Sequence, residues 1–250
     1  MKKIITVVNQ KGGVGKSTIA QLLGNALRHQ GNKILFIDLD LQGNLSYVLG
    51  IDKALIGSYD ILMKEARAEE VILETEQGHL IPSTASLVRL DTEMQDIVGR
   101  EYRLKEGLKP ILNSYDYIII DTPPTLSTTV INALTASNLV IIPTQADIYS
   151  LQGLGQLANT LDTIKLYTNP DIEVAGILIT RYDSRTILTR ELTEIFEHTA
   201  KELNTKVFEI KIREAIAIKE AQALRTDLLE YQPKAKVAED VIKFIEELEL

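Results

Sequence analysis

Short apolar runs of strand length alternate with longer segments of helical periodicity along this chain. Several of the short runs are apolar at consecutive positions, which is typical of parallel strands covered on both faces. The predicted strands are IITVV (4–8), KILFID (33–38), YDYIIID (115–121), NLVIIP (138–143), EVAGILIT (173–180) and KVFEI (206–210). The predicted helices are 16–30, 102–112, 127–137, 150–168, 186–203 and 234–249. The alternation predicts an α/β fold with a mostly parallel, doubly wound sheet and helices on both faces.

The stretch 50–100 is less regular than the rest of the chain. It predicts short helices and one strand around HLIPS (79–83). The sequence contains no internal repeat, low-complexity tract or linker, and its 250 residues suit one large α/β domain. We therefore expect a single domain over residues 1–250.

Composition and charge narrow the classes of function. The chain has no cysteine, which excludes disulfides, iron–sulfur ligation and thiol catalysis. No apolar stretch approaches the roughly 20 residues that a membrane span needs. The net charge is −8, so affinity for nucleic acid requires a local basic patch. These features predict a cytoplasmic protein.

The stretch NQKGGVGKST (9–18) falls between the first predicted strand and the first predicted helix. A glycine-rich loop in this position binds phosphate through its amides, as in a P-loop NTPase. Lys16 then contacts the β- and γ-phosphates, and the hydroxyl of Ser17 ligates Mg²⁺. The alternative is a glycine turn capped by Ser17 or Thr18, which the strand-loop-helix context disfavours.

Lys11 is a second lysine five residues upstream of Lys16. At the outer edge of the loop it points away from its own phosphates, toward whatever covers the site. Across a dimer interface, such a lysine neutralises phosphate charge as an arginine finger does in trans. A solvated surface lysine is the alternative, and the loop alone does not decide between them.

Carboxylates end two predicted strands. Asp38 and Asp40 stand in LFIDLDLQGN (35–44), and Asp121 ends the strand in YDYIIIDTPP (115–124). Carboxylates beside a phosphate loop position the attacking water or hold Mg²⁺. Taken alone, these aspartates are also typical of helix caps and turns.

These motifs together resemble the ParA/MinD family of ATPases, because KGGVGKST is similar to the family's deviant Walker A motif and later segments match in order. The resemblance implies a P-loop ATPase that binds ATP and Mg²⁺ and forms an ATP-bound sandwich dimer. It assigns Lys11 to action in trans, Asp40 to the attacking water, and Asp38 to the Mg²⁺ shell through water. The implied nucleotide-binding residues are Lys11, Gly12, Gly13, Val14, Gly15, Lys16, Ser17 and Thr18, with Thr180, Arg181 and Tyr182 from GILITRYDSRT (176–186). Tyr182 is equally consistent with core packing, and Leu41 replaces the family's usual proline, which changes the local turn.

Within the family, the segment 212–241 resembles the ParA/Soj branch, which segregates plasmids or chromosomes. The last residues, VAEDVIKFIEELEL, are acidic, and acidic charge disfavours membrane targeting of the MinD kind. The first strand begins near the start of the chain, so we expect no N-terminal helix-turn-helix domain.

The resemblance implies that an ATP-bound homodimer binds double-stranded DNA without sequence preference and associates with the nucleoid. A ParB-like centromere-binding adaptor then stimulates hydrolysis, whose intrinsic turnover is slow. The candidate DNA-binding residues are Arg185, Arg190, Lys211, Arg213, Lys219 and Arg225. A mixed solvated surface is the alternative for this face. The alternative function is a MinD-like or cargo-positioning ATPase anchored to a protein or membrane receptor.

Overall fold

A mostly parallel eight-stranded sheet forms the centre of the fold. The computed structural model describes residues 3–182, 195–201 and 204–250. The strands are β1 (Lys3–Val7), β2 (Ile34–Asp38), β3 (Leu73–Thr75), β4 (Gly78–Ile81), β5 (Tyr117–Asp121), β6 (Leu139–Thr144), β7 (Glu173–Tyr182) and β8 (Ile212–Arg213). Their order is β3-β4-β2-β5-β1-β6-β7-β8, and the β3–β4 hairpin supplies the antiparallel pair.

Helices cover both faces of this sheet. They are α1 (Lys16–His29), α2 (Asn44–Val48), α3 (Ser58–Met63), α4 (Ala68–Val71), α5 (Leu90–Glu93), α6 (Arg103–Leu108), α7 (Thr128–Ala136), α8 (Ile148–Tyr167), α9 (195–201), α10 (Ile216–Ala223), α11 (Leu228–Tyr231) and α12 (Lys236–Leu248). Shorter 3₁₀ turns span Ala85–Arg89, Arg100–Tyr102 and Lys109–Ser114.

Alternate residues of the central strands face opposite layers. In β5, Ile119 packs in one core with α1, α10, α11 and α12. Ile118 and Ile120 pack in the opposite core with α3 to α7. A third cluster joins α7 and α8 to β6 and β7. Burial on both faces explains the continuous apolar runs, and the α/β prediction is confirmed.

Five of the six strongest strand predictions agree with the structure to within a few residues, and the prediction for KVFEI (206–210) is wrong. Only a single bridge between Ile177 and Val207 forms there, and the edge strand is the later β8. The carboxylate of Glu247 on α12 accepts the amides of Glu209 and Ile210 at 2.8 and 2.9 Å. Those amides are therefore unavailable to the sheet.

The helix predictions differ from the structure in the end of one helix and in short helices outside the predicted ranges, such as α2. The helix predicted at 102–112 ends at Leu108 and continues as a 3₁₀ turn containing Pro110, which has no amide to donate. Of the helix predicted at 186–203, residues 195–201 are helical and the remainder lies outside the described residues. β3, α10 and α11 were not predicted.

The strand order places one crevice at the C-terminal edge of the sheet. From β1 the chain crosses to β2 on one side, and after β5 it returns across β1 to β6 on the other. Ligands bind α/β sheets at such a reversal, outside the carboxyl ends of the strands. The loop 8–15, after β1, lies at this point.

Candidate active site

The loop between β1 and α1 has the backbone of a phosphate-binding turn. Gly13 (φ 77°) and Gly15 (φ 92°) are left-handed, a conformation that residues with a side chain rarely adopt. α1 begins at Lys16, directly after Gly15, so the loop amides and the positive end of the helix dipole lie together. This arrangement attracts an anionic group such as phosphate.

Two buried side chains, one within the loop and one on β7, hold the loop in place. Asn9 Oδ1 accepts the amide of Lys11 at 2.9 Å, and Asn9 Nδ2 donates to the carbonyl of Pro143 at 2.8 Å. Thr180 Oγ1, at the end of β7, donates to the carbonyl of Val14 at 2.8 Å. The side chain of Thr180 therefore holds the loop by a hydrogen bond to the loop's backbone.

Lys16 is the buried lysine of the loop, with 6% of its surface exposed. Its Nζ donates to the carbonyl of Lys11 at 3.0 Å. Burial lowers the pKa of Lys16, and the charges of Asp121 and Asp40 partly oppose that shift. An anionic ligand in the adjoining cavity would stabilise the charged ammonium.

Asp38 and Asp121 are brought side by side by the register of β2 against β5. Both are fully buried. Asp38 accepts hydrogen bonds from the amide of Ser46 at 2.8 Å, from its hydroxyl at 2.7 Å, and from the amide of Asp40 at 3.1 Å. Burial nonetheless raises the pKa of Asp38 to about 6.

Asp121 fits a divalent cation better than it fits the protein alone. Its Oδ1 accepts the amide of Thr122 at 3.0 Å, whereas its buried Oδ2 has no hydrogen-bond partner among the described residues. Burial, with the nearby charge of Asp38, raises the pKa of Asp121 well above its ordinary value. Carboxylate and hydroxyl oxygens are the donors that Mg²⁺ prefers, so Ser17, Asp38 and Asp121 fit that ion directly or through water.

Asp40 lies at the rim of the same cavity and is 6% exposed. Its Oδ1 accepts the amide of Gln42 at 3.0 Å, and its carbonyl accepts Ser83 Oγ at 2.6 Å. Leu41, where the resembled family usually has proline, is half exposed. These hydrogen bonds define the position of Asp40 without a proline.

Lys11 lies at the outer edge of the loop and does not line the cavity. Its Nζ forms an ion pair with Asp147 and lies 3.3 Å from Ser150 Oγ. Asp147 is also the N-cap of α8, because its Oδ1 accepts the amide of Ser150 at 3.0 Å. Burial opposes the shift, but these bonds lower the pKa of Asp147 below its ordinary value.

The cavity beside the loop has a volume of about 370 Å³. Predicted residues that line it are Gly12, Gly13, Gly15, Lys16, Ser17, Thr18, Asp40 and Arg181. The structure adds Gln42, Asn44, Tyr47, Val48, Pro124 and Gln222. Gln42, Asn44 and Pro124 belong to motifs already identified, and Gln222 lies in the segment 212–241 that resembles the ParA/Soj branch.

Comparison with known proteins identifies the family. A family profile described as an AAA domain matches residues 2–174. The chain is 38% identical to the sporulation initiation inhibitor protein Soj of Bacillus subtilis, covering 99% of this chain and 98% of Soj. It is 36% identical to the chromosome partitioning protein ParA of Myxococcus xanthus, covering 98% and 87%. The chain belongs to the ParA/MinD family of ATPases.

Solved structures agree with membership of the ParA/MinD family. A Borrelia burgdorferi B31 protein named as a putative plasmid partition protein, bound to AMPPNP, is 30% identical with a TM-score of 0.79, covering 99% of this chain and 97% of that one. A Mycobacterium smegmatis protein named cobyrinic acid a,c-diamide synthase, with an ATP analogue and magnesium, is 31% identical with a TM-score of 0.87, covering 98% and 93%. ATP and Mg²⁺ are accordingly the cofactors of this ParA/MinD ATPase.

A smaller cavity opens beside the first, at the ends of β7 and β8. Arg181 lines both cavities, and its left-handed backbone (φ 49°) lies at an irregularity in the pairing of β7 with β8. Tyr182 lines neither cavity and packs partly buried against the α8 cluster. Arg181 thus lies at both cavities of this ParA/MinD protein, whereas the ring of Tyr182 contributes to packing.

Four candidate DNA-binding residues of this ParA/MinD chain lie within the described residues and make intramolecular contacts. Arg213 forms two hydrogen bonds with Asp240, Lys219 pairs with Glu214 at 2.9 Å, Arg225 pairs with Asp52, and Lys211 Nζ lies 4.7 Å from the ring centroid of Tyr182. Arg185 and Arg190 lie outside the described residues. In the described part of the chain, no helix is both long and apolar enough to cross a membrane.

Proposed function

We propose that this protein is a DNA-partition ATPase of the Soj/ParA type. In the proposed cycle, ATP binding drives a face-to-face homodimer, and the dimer binds duplex DNA without sequence preference. A ParB-like centromere-binding adaptor stimulates hydrolysis and so releases the dimer from DNA. The observation that carries this proposal is the different placement of two lysines in one loop. Lys16 is buried beside the carboxylates, whereas Lys11 is half-buried at the outer edge.

The residues around the cavity divide the chemistry among them. Lys16 and the loop amides bind the phosphates, and Ser17, Asp38 and Asp121 hold Mg²⁺, which neutralises phosphate charge. Asp40 positions the attacking water at the cavity rim. No histidine is among the described residues that line the cavity. A site that orients water without a strong general base suits slow intrinsic turnover and leaves room for stimulation by a partner.

Lys11 is assigned to the partner's active site. Its backbone is fixed by Asn9, and its side chain contacts the partly exposed Asp147 and the buried Ser150. The side chains of Lys11 and Asp147 are 27% and 31% exposed. A partly exposed ion pair of this kind contributes on the order of 1 kcal/mol or less to stability. The triphosphate in the facing subunit carries more negative charge than Asp147. Docking of the two subunits therefore favours transfer of the Lys11 ammonium from Asp147 to that triphosphate.

DNA binding is assigned to the surface around α10. Its basic side chains Arg213, Lys219 and Arg225 are paired in the isolated chain, so DNA phosphates must compete with Asp240, Glu214 and Asp52 for them. Doubling of the basic surface on dimerisation favours DNA in that competition, because affinity for a polyanion rises with each phosphate neutralised. Because ATP drives dimerisation in the proposed cycle, DNA binding depends on ATP.

The test is retention of the protein on nonspecific duplex DNA with ATP, ADP or no nucleotide, at two salt concentrations. The proposal predicts retention that requires ATP and weakens as salt rises. Lys16→Ala, assayed at an ATP concentration that it no longer binds, is the matched control, because it leaves the basic surface unaltered. Absence of retention by wild type under every condition contradicts the proposal and favours the receptor-anchored alternative.

Membrane anchoring through the C-terminal helix is disfavoured by packing as well as by charge. Val241, Phe244 and Leu248 on α12 are buried in the core shared with α1. That apolar face is therefore not available to insert into a lipid surface. We place the protein in the cytoplasm, associated with the nucleoid when ATP is bound.

A further inference from the structure

A chain of buried amide side chains runs from the β3–β4 hairpin to the nucleotide cavity. Gln77, in the hairpin turn, contacts Gln21 and Asn25 on α1. Gln21 contacts Gln222 at the C-terminal part of α10, and Gln222 lines both cavities. In the amide of Asn or Gln, the NH₂ group only donates hydrogen bonds and the carbonyl oxygen only accepts them. A chain of hydrogen-bonded amides therefore has a direction.

Backbone carbonyls set the orientation of Gln77. Its Nε2 donates to the carbonyl of Val48 at 2.9 Å and to that of Arg225 at 3.1 Å. Carbonyl oxygens only accept, so the NH₂ group must face them. Gln77 Oε1 then accepts Gln21 Nε2 at 2.9 Å and Asn25 Nδ2 at 2.7 Å. All four hydrogen-bonding positions of this amide are used.

The orientation of the Gln77 amide determines that of Gln21, which in turn determines that of Gln222. Because Gln21 donates through Nε2 to Gln77, its Oε1 faces Gln222 and only accepts. Gln222 Nε2 donates to Thr18 Oγ1 at 3.0 Å and lies 3.5 Å from Gln21 Oε1. A flipped Gln222 would put two carbonyl oxygens against each other. Its own Oε1 is therefore the end left to face the cavities.

Gln222 lies where the two cavities meet. It shares the lining of both cavities with Gly15, Thr18 and Arg181. The first cavity holds the phosphate-binding groups, and the second adds the apolar side chains of Ile212 and Ile218. Apolar side chains beside a phosphate site suit the flat faces of a base.

We propose that Gln222 determines base specificity: its Oε1 accepts the exocyclic 6-amino group of adenine, and Gln77 sets that polarity from the far end of the amide chain. This inference rests on the proposed ATP-binding function and adds the residue that selects the base. Guanine carries a 6-oxo group, which places an acceptor against an acceptor. Thr18 Oγ1, accepting from Gln222, keeps its own proton to donate to phosphate.

The test compares Mg²⁺ complexes of ATP, GTP and purine riboside triphosphate, which lacks the 6-amino group, by isothermal titration calorimetry. Wild type is expected to bind ATP about twofold to tenfold more tightly than purine riboside triphosphate, the worth of one neutral hydrogen bond. We expect a larger preference over GTP, because two acceptors are left facing each other. Gln222→Leu is expected to bind ATP and purine riboside triphosphate equally.

The double-mutant cycle between protein and base isolates the contact. Equal ATP preference in wild type and Gln222→Leu overturns the proposal. The second test measures binding of 2′-deoxy-ATP and 3′-deoxy-ATP. If the affinity lost in Gln222→Leu depends on either hydroxyl, Gln222 contacts the sugar and the proposal is overturned. Failure of wild type to bind any triphosphate contradicts the proposed function itself and is distinguishable from both outcomes.

Gln77→Met tests the remote part of the proposal, because methionine matches the length of glutamine without hydrogen bonding. We expect it to reduce discrimination between ATP and purine riboside triphosphate while triphosphate binding persists. The control is Gln156→Met on the exposed face of α8, which is expected to leave discrimination unchanged. Thermal unfolding establishes that Gln77→Met is folded. A folded Gln77→Met with wild-type discrimination overturns the assignment of polarity to Gln77.

Discussion

Lys11 Nζ and the carboxylate of Asp147 form an ion pair across 136 residues of chain, from the phosphate loop to the N-terminus of α8. The pair holds the outer lysine against its own subunit. If Lys11 acts in the partner's site, the pair competes with dimerisation. The structure of the isolated chain thus contains a contact that the proposed dimer must break.

Asp147→Asn is expected to strengthen the dimer formed with a non-hydrolysable ATP analogue. Asparagine keeps the N-cap of α8 but removes the charge that holds Lys11. The pair is partly exposed, so we expect a gain of about twofold to fivefold in dimer affinity. Sedimentation velocity over a range of protein concentrations measures it. An unchanged or weaker dimer would show that the pair does not restrain assembly.

Lys16→Ala is expected to weaken ATP binding by about tenfold to more than a hundredfold, the range for charge-assisted hydrogen bonds. The loss removes the buried ammonium beside the cavity. Calorimetric titration with Mg²⁺–ATP checks it, with the exposed Lys53→Ala as the matched control. Undiminished affinity in Lys16→Ala would contradict the phosphate-loop assignment.

Asp121→Asn is expected to stabilise the nucleotide-free protein at neutral pH while abolishing Mg²⁺-dependent hydrolysis. Burial raises the pKa of Asp121 in the fold, so ionisation favours the unfolded chain. That penalty grows as pH rises above about 4, the ordinary range of a carboxyl, and Asn removes it. Asn can keep the hydrogen bond from Thr122, because its Oδ1 occupies the same position.

The measurement is the free energy of unfolding by denaturant between pH 4 and 8. The stability gained by Asp121→Asn should shrink as pH falls toward 4. Asp171→Asn, at an exposed position, is the control and should show little dependence. A gain that is constant or grows at low pH would contradict the origin assigned to it.

Local sequence patterns predicted the parts of the fold that depend on local chemistry. The runs around Ile119 and Ile141 predicted buried parallel strands because both faces of the sheet are covered. The glycine-rich stretch predicted a loop between the first strand and the first helix, and the structure has that loop, with Gly13 and Gly15 left-handed. KVFEI was mispredicted because Glu247, far along the chain, removes two of its amides from the sheet. The alanine-rich helix α10 carries a propensity signal that periodicity alone overlooked.

In the candidate site, too, the sequence predicted the residues whose roles follow from a local motif. Lys16, Asp40 and Asp121 stand in motifs whose spacing indicates their chemistry. Asp147 stands in no such motif, and the segment 212–241 that contains Gln222 indicated the branch of the family but not a role for this residue. Both roles depend on contacts with residues more than 100 positions away. No local pattern encodes the orientation of an amide that two backbone carbonyls fix in a distant hairpin.

The central claim is that Lys11 completes the active site of the facing subunit. Lys11→Ala should bind nucleotide nearly as wild type does, because its loop keeps Lys16 and the amides, but it should lose hydrolysis. Asp40→Ala should lose hydrolysis as well, because the attacking water is no longer positioned, while nucleotide affinity survives. Each variant alone is thus expected to be inactive.

Mixing the two variants tests the claim most directly. In a heterodimer, one composite site combines an intact Asp40 with an intact Lys11 from the other subunit, and the second site carries both lesions. The account predicts that ATPase activity returns on mixing. A chain carrying both substitutions, mixed with Lys11→Ala, is the control and should stay inactive. If subunits exchange and ATP dimers form, yet activity does not return, Lys11 does not act across the interface.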